Sequence, residues 1–284
     1  MKIILGILFF SVFPFFCFSQ PFGLGDKTTP AEINSLPKYA ELKTRDILGL
    51  PAFYSLKMYA PPVGNQGPYA TCTAWSAAYA ARTISYSIRK SMIDKDSIKK
   101  YSFSPPFLYY YIKKVNDKNC DSGASIRDAM SILKSKGALL KDSDTAGCVN
   151  AIADTVAAKA AEYKIKDYLA IDSFGRINKD GILKIKKSIS EKRPVIISIR
   201  FYDSFRKVDS LTGYWINDTT DIPHKEALSG HAMCITGYDD DVNGGAFEVM
   251  NSWGDKWGRK GFFWLSYKQF EDYGRYAIAL TDFR

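Results

Sequence analysis

Three separated segments carry side chains that together could perform acyl transfer. The first runs Gln66-Gly67-Pro68-Tyr69-Ala70-Thr71-Cys72-Thr73-Ala74-Trp75. A cysteine that opens a helix feels the positive end of the helix dipole, which favours thiolate, the nucleophilic form. Gln66 can aim an amide N–H at an oxyanion, with the Cys72 backbone N–H as second donor. The second segment is Ser229-Gly230-His231-Ala232-Met233-Cys234-Ile235-Thr236-Gly237-Tyr238. His224 and His231 are the two histidines of the chain. His231 opens an apolar strand, so its ring can reach from a strand end into a cleft as general base and acid. His224 follows Pro223 in a polar loop and is expected to face solvent. The third segment holds Asn251-Ser252-Trp253-Gly254 and Trp257-Gly258. Asn251 can accept the proton-bearing nitrogen of His231 and fix its tautomer, and Trp253 can shield that bond from water. Each residue alone has a plainer reading: a buried cysteine beside a turn, a core histidine, a turn asparagine.

In the order Gln, Cys, His, Asn the three segments resemble the papain family of cysteine peptidases. Gln66 precedes Cys72 by six residues (72 − 66 = 6), His231 leads an apolar strand ending Gly237-Tyr238, and Asn251 to Gly258 matches Asn-Ser-Trp-Gly-x-x-Trp-Gly. The resemblance covers roughly residues 50–284. It implies an α+β, two-lobe fold with a helical N-terminal lobe, a β-rich C-terminal lobe and the active-site cleft between them. It also implies a cysteine endopeptidase that hydrolyses peptide bonds through a thioester. Cys72 would be the nucleophile, His231 the base and acid, Asn251 the orienter, Gln66 the oxyanion donor and Trp253 the shield. Gly123 and Ala124 would pair with an extended substrate by β-addition. Ala232 and the Ser198 region would line the pocket for the residue two before the cleavage point. The sequence departs from the family at Thr73, where a Trp is usual, at Tyr69-Ala70 in place of Cys-Gly, and at Gly123-Ala124 in place of Gly-Gly. Tyr69 adds bulk beside the primary pocket. Specificity therefore does not carry over.

The elements that must position these groups follow from pattern. A helix is expected from Cys72 through the 80s, with Thr71 as N-cap. Residues 88–101 read as a polar excursion. Ser104-Pro105-Pro106 opens a helix with Phe107, Leu108, Tyr111, Ile112 and Val115 on one face. Ser125 caps another, carrying Ile126, Ala129, Met130 and Leu133, with Gly137 ending it. Residues 151–164 and 180–191 also read as helical. Strand-like runs occupy 195–201, 232–238, 247–250, 262–265 and 276–280. The helical lobe would span about 50–164 and the β lobe about 165–284. The Asp239-x-Asp241-x-Asn243-Gly244 run starts like a calcium loop, but its twelfth position is Met250 rather than Glu, so it reads as a hairpin turn.

Composition agrees with a globular chain: 284 residues, 46% hydrophobic, 24% charged, formal charge +9. The charge is scattered, which argues against nucleic-acid binding. No metal spacing or phosphate loop occurs, and no cofactor is expected; the partner is a protein or peptide substrate. Residues 1–19 read as a signal peptide, which points to a secreted or periplasmic protein without stable membrane association; a monomer is expected. Cys17 would leave with it. Of the remaining cysteines, Cys120 and Cys148 lie in polar loops flanking a helix, while Cys72 and Cys234 lie in apolar settings. One Cys120–Cys148 bridge is the economical assignment, though connectivity is not fixed by sequence. Residues 20–49, with three prolines and little apolar periodicity, read as a short leader or strap; stretched out they are long enough to cross the cleft, but a surface strap that does not inhibit is favoured. A peptidase-fold amidase or transpeptidase would use the same residues, and a silent binding protein could share the fold.

Overall fold

The computed structural model describes residues 22–141, 147–225 and 230–281. The signal-peptide reading of residues 1–19 lies outside them. The first half is helical. Its centre is a helix that starts at Cys72–Ala74, widens to π-helical geometry over Trp75–Arg82 and returns to α over Thr83–Arg89. Every residue from Thr71 to Ser87 is buried; most are small or apolar, and the charged Arg82 donates its Nε–H to the Tyr163 carbonyl at 3.1 Å. Ala77, Ala78, Ala80 and Ala81 let neighbouring elements approach it closely.

Helices Pro105–Ile112 and Ile126–Ser135 pack beside it, and both start as their sequences predict. The Ser104 hydroxyl caps Phe107 N–H, and the Ser125 hydroxyl caps Arg127 N–H. Thr71 does precede the central helix, but its side chain makes no capping bond. Val115 is fully exposed rather than on an apolar helix face. The helix ends at Ile112 because Lys113 turns extended and sends its ammonium to the Val149 carbonyl and the Asn150 side chain. The polar stretch 88–101 contains a short helix, Lys95–Lys100, capped by Asp94.

The second half, joined by one short strand from the first, forms an antiparallel sheet. Its strands are β1 (Phe53–Ser55), β2 (Asp167–Ala170), β3 (Val195–Arg200), β4 (Gly230–Asp239), β5 (Ala246–Met250), β6 (Phe262–Ser266) and β7 (Gly274–Thr281). They run in the order β2-β7-β3-β4-β5-β6, with β1 on the far end of β4. β4 is buried from Gly230 to Tyr238: it pairs with β3 and β5 along its edges and packs against the central helix and the helix Lys179–Ser190. A β-bulge between β3 and β7 leaves Ser198 opposite Tyr276 and Ile199 opposite Gly274, so Arg275 is the extra residue.

The leader differs from its sequence reading. Residues 22–49 belong to the folded body. Ile33, Leu36 and Tyr39 are buried in the main core. Tyr39 N–H donates to the Ala170 carbonyl at 2.8 Å, and Ala170 N–H to the Pro37 carbonyl at 2.9 Å. The segment lacks apolar periodicity of its own because it borrows the existing core.

Candidate active site

The central helix and the open end of β4 bring the three segments together. Cys72 sits on the first turn of the helix, fully buried. His231 is the second residue of β4 and Asn251 follows β5 directly. β4 and β5 are neighbours in the sheet, so Asn251 lies beside His231. Asn251 Oδ1 is 2.8 Å from His231 Nε2. A carboxamide oxygen only accepts, so Nε2 carries the proton and Nδ1 holds the free lone pair. Nδ1 has no hydrogen-bond partner among the described residues. The Trp253 ring stacks on the imidazole at 4.6 Å, and Phe205 meets Trp253 edge-on at 5.5 Å. These rings keep water from the His231–Asn251 bond.

Gln66 reaches the same place by a backbone clasp. Its N–H donates to the Ser252 carbonyl at 2.8 Å, and Gly254 N–H donates to the Gly64 carbonyl at 3.0 Å. Its side chain is aligned by Ser252, whose hydroxyl donates to Gln66 Oε1 at 2.6 Å. Ser252 was missed in the sequence reading, although it lies inside the Asn-Ser-Trp-Gly motif. Thr73, at the position where the family has Trp, donates its hydroxyl to the Ala124 carbonyl at 3.1 Å. Cys120 and Cys148 are joined by a disulfide, Cα–Cα 5.5 Å. The Cys120 carbonyl accepts from Ala70 N–H, tying that bridge to the loop before Cys72. Gly123 N–H donates to the Tyr109 hydroxyl at 3.0 Å. A cavity of about 170 Å³ opens beside Gln66, bordered by Tyr69, Thr71 and Trp75. His224 is exposed and apart from the group, as expected. Among the described residues no cluster of His, Cys, Asp and Glu could hold a metal.

The start of the leader runs through this cleft. Gln66 Nε2 donates to the Gly23 carbonyl at 2.9 Å and to the Tyr69 carbonyl at 2.7 Å. Gly25 N–H points at Cys72 Sγ, 3.3 Å away. Ala124 N–H donates to the Gly25 carbonyl at 2.8 Å, and Lys27 N–H to the Ala124 carbonyl at 3.1 Å. On the other side Asp26 N–H donates to the Gly230 carbonyl at 3.3 Å. Asp26 thus bridges a parallel partner on one side of the cleft and an antiparallel partner on the other. Phe22 stacks flat on Trp253 at 4.6 Å. The fit requires glycine. A Cβ on Gly23 would lie 2.0 Å from the Tyr69 carbonyl oxygen, and one on Gly25 1.8 Å from that of Ala70. The surface placement read from sequence is therefore corrected: this stretch fills the cleft. Two close-packed glycines flanked by Phe22 and Asp26 were the available signal.

The cover sets the electrostatics. Burial pushes the Cys72 thiol up to about 11, against the lowering effect of the Ala232 and Gly25 backbone groups. Burial pushes His231 down to about 4, opposed by its bond to Asn251. Both groups are thus neutral near pH 7 while the cleft is filled. The low thiol pKa expected from the helix terminus is absent in this state because desolvation outweighs the dipole.

A family profile described as papain family cysteine protease matches residues 55–280. The chain belongs to the papain family of cysteine proteases. It is 26% identical over 217 residues to an uncharacterized peptidase C1-like protein of Acanthamoeba polyphaga mimivirus, covering 73% of this chain and 65% of the relative. It is 24% identical over 206 residues to cysteine proteinase 3 of Entamoeba histolytica, covering 72% of this chain and 59% of the relative. The match thus spans less than two thirds of either relative. Among solved structures, xylellain, a cysteine protease from Xylella fastidiosa, superposes with a TM-score of 0.71 at 24% identity, covering 93% of this chain and 98% of that one. The papain-like α+β fold is thereby shown. Among the described residues no helix is long and apolar enough to cross a membrane.

Proposed function

We propose that the protein is an exported, monomeric cysteine endopeptidase held latent by residues 22–30. One observation carries this reading: a peptide backbone lies in the cleft with one carbonyl on Gln66 Nε2 and an amide two residues on against Cys72 Sγ. Groups that hold a peptide between a thiol and an oxyanion donor are suited to peptide-bond hydrolysis.

Once the strap leaves, water and substrate enter and the desolvation of Cys72 and His231 falls. His231 Nδ1 then takes the Cys72 thiol proton. The thiolate attacks the scissile carbonyl carbon, and the carbonyl electron pair moves to oxygen, where Gln66 Nε2 and Cys72 N–H stabilise it. As the C–N bond breaks, the imidazolium passes its proton to the leaving amine. The acyl group remains as a thioester on Cys72. A water, deprotonated by His231, attacks that carbonyl and releases the carboxylic acid, and the thiol regains its proton. Asn251 keeps Nε2–H in place throughout, so it acts as a positioning residue. Domain limits of 20–49 for the leader and 50–284 for the peptidase, with removal of residues 1–19 on export, complete the reading. The disulfide is compatible with an oxidising compartment.

The test uses the full chain from Gln20. Gly25→Ala cannot seat the strap, because of the 1.8 Å approach to Ala70. The variant should hydrolyse peptides and react with a thiol-directed epoxide at Cys72, while the parent chain does both slowly. Equal rates in the two proteins would remove latency from the proposal. Absence of Cys72-dependent hydrolysis in Gly25→Ala would remove the peptidase.

A further inference from the structure

The strap inserts one acidic side chain beside the thiol, and the protein has built a polar pocket around it. Asp26 is 1% exposed. Its Oδ2 accepts from Ser198 Oγ at 2.5 Å and from Arg275 Nη1 at 2.5 Å. Its Oδ1 accepts from Thr28 N–H at 3.0 Å and from the Thr28 hydroxyl. Ser198 pairs across β3–β4 with Ala232, the two residues expected to line the pocket for the second residue before the scissile bond. Arg275 completes that pocket from β7, and it does so as the extra residue of the β-bulge. A bulge re-aims one side chain without disturbing its neighbours.

Further features hold the guanidinium in place. It lies 5.1 Å from the Phe174 ring centre, and its Nη2 donates to the Thr28 carbonyl at 2.8 Å. Gly230 makes room for it: a Cβ there would lie 1.8 Å from Nη1. The Arg275 side chain is only 15% exposed.

We propose that Arg275 and Ser198 select substrates carrying an aspartate or glutamate at the position that Asp26 occupies, with Arg275 as the specificity-determining residue. The proposal rests on the peptidase reading above. Departure of the strap removes Asp26 and Thr28 together and opens the guanidinium to water, and a substrate that fills the pocket buries it again. An unpaired buried cation is costly, and a substrate carboxylate restores the bidentate-capable partner. A neutral side chain leaves the cation unpaired, and a lysine or arginine there adds like-charge repulsion. In the strap Gly23, on Gln66, precedes Asp26, whereas the second residue before a scissile bond precedes the carbonyl on Gln66; the strap therefore runs opposite to a substrate, and its Asp26 side chain alone samples the chemistry the pocket takes.

The experiment uses full-chain Gly25→Ala and matched fluorogenic peptides that differ at one residue, the second before the scissile bond. Aspartate should exceed its isostere asparagine by about tenfold to a hundredfold in kcat/KM, and lysine should be poorest. In Arg275→Gln the aspartate-to-asparagine ratio should fall to within about threefold of unity, and Arg275→Glu should favour lysine. A role of Arg275 in folding alone would change all peptides equally and leave the ratio intact. Equal or better cleavage of leucine, asparagine or lysine peptides overturns the proposal and leaves the peptidase standing; Arg275 is then only the fastener of the strap. If no peptide is cleaved, binding decides independently. Full-chain Cys72→Ala/Gly25→Ala should bind the aspartate peptide about tenfold more tightly than the asparagine peptide by fluorescence anisotropy, and equal affinities would overturn the selectivity.

Discussion

Two buried thiols in this protein have the same side-chain exposure and opposite prospects. Cys72 and Cys234 are both 0% exposed, and burial pushes both thiols up. Cys234 sits in mid-strand, paired through β4 with Ile196 on one side and Met250 on the other. Desolvation is the one influence on it. Cys72 has hydrogen-bond donors around it from Gly25, Ala232 and Thr73, and part of its cover is a chain segment from the far N-terminal side. The cover over Cys234 is the sheet itself, which leaves only by unfolding. Burial in a static structure therefore does not measure reactivity; the identity of the covering element does.

The largest effect expected from this contrast is chemical. Cys72→Ala should lower turnover by about four orders of magnitude or more, while Cys234→Ala keeps it within about twofold. Active-site titration with a thiol-directed epoxide, followed by peptide mapping, checks it. Label on Cys234 in the folded protein would break the contrast.

Next comes the strap. Gly25→Ala should raise the labelling rate of the full chain by about tenfold or more, because it disfavours only the covered state. Labelling time courses on parent and variant measure this directly.

Acidity should have a smaller effect with a definite sign. His231 is pushed down from 6.5 to about 4 in the covered state. Any state with His231 hydrated binds a proton first, so the covered state loses stability as pH falls from about 6.5 towards 4. Cys72 is pushed up from 9.0 to about 11. A hydrated thiol ionises first, so the covered state also loses stability as pH rises above about 9. The strap should therefore hold best between about pH 6.5 and 9. Rates of strap release, followed by proteolytic susceptibility of residues 22–30 across pH, should be lowest in that window. Release slowest at pH 4 would contradict the assignment of a neutral buried His231.

The smallest effect on activity should come from the disulfide. Its partners are 28 residues apart, and its loss should cost about 3 kcal/mol of stability. Thermal melts with and without reductant should show it, with turnover at low temperature little changed, because neither sulfur reaches the thiol or the imidazole.

The candidate catalytic group was legible in sequence because each member lies in a short motif whose residue types are demanded by chemistry. The helix starts at Ser104 and Ser125 were legible for a similar reason, since a cap acts within three residues of itself. Val115 was misplaced because the end of its helix depends on where Lys113 is anchored, and that anchor lies beyond residue 140. The leader was misread because it has no core of its own and its buried residues match a surface made by others.

By itself the sequence determined the α+β division, the chain order of the segments that hold Cys72, His231 and Asn251, and the cysteine pair suited to a bridge. These rest on local periodicity, caps and motif spacing, which act over a few residues. Tertiary structure alone decided that the leader enters the cleft, that the thiol and imidazole are both neutral beneath it, and that Arg275 meets Asp26 across 249 residues of chain. Each of these depends on which surfaces exclude water together. Desolvation and long-range pairing arise only when the strands, the bulge and the strap are in place.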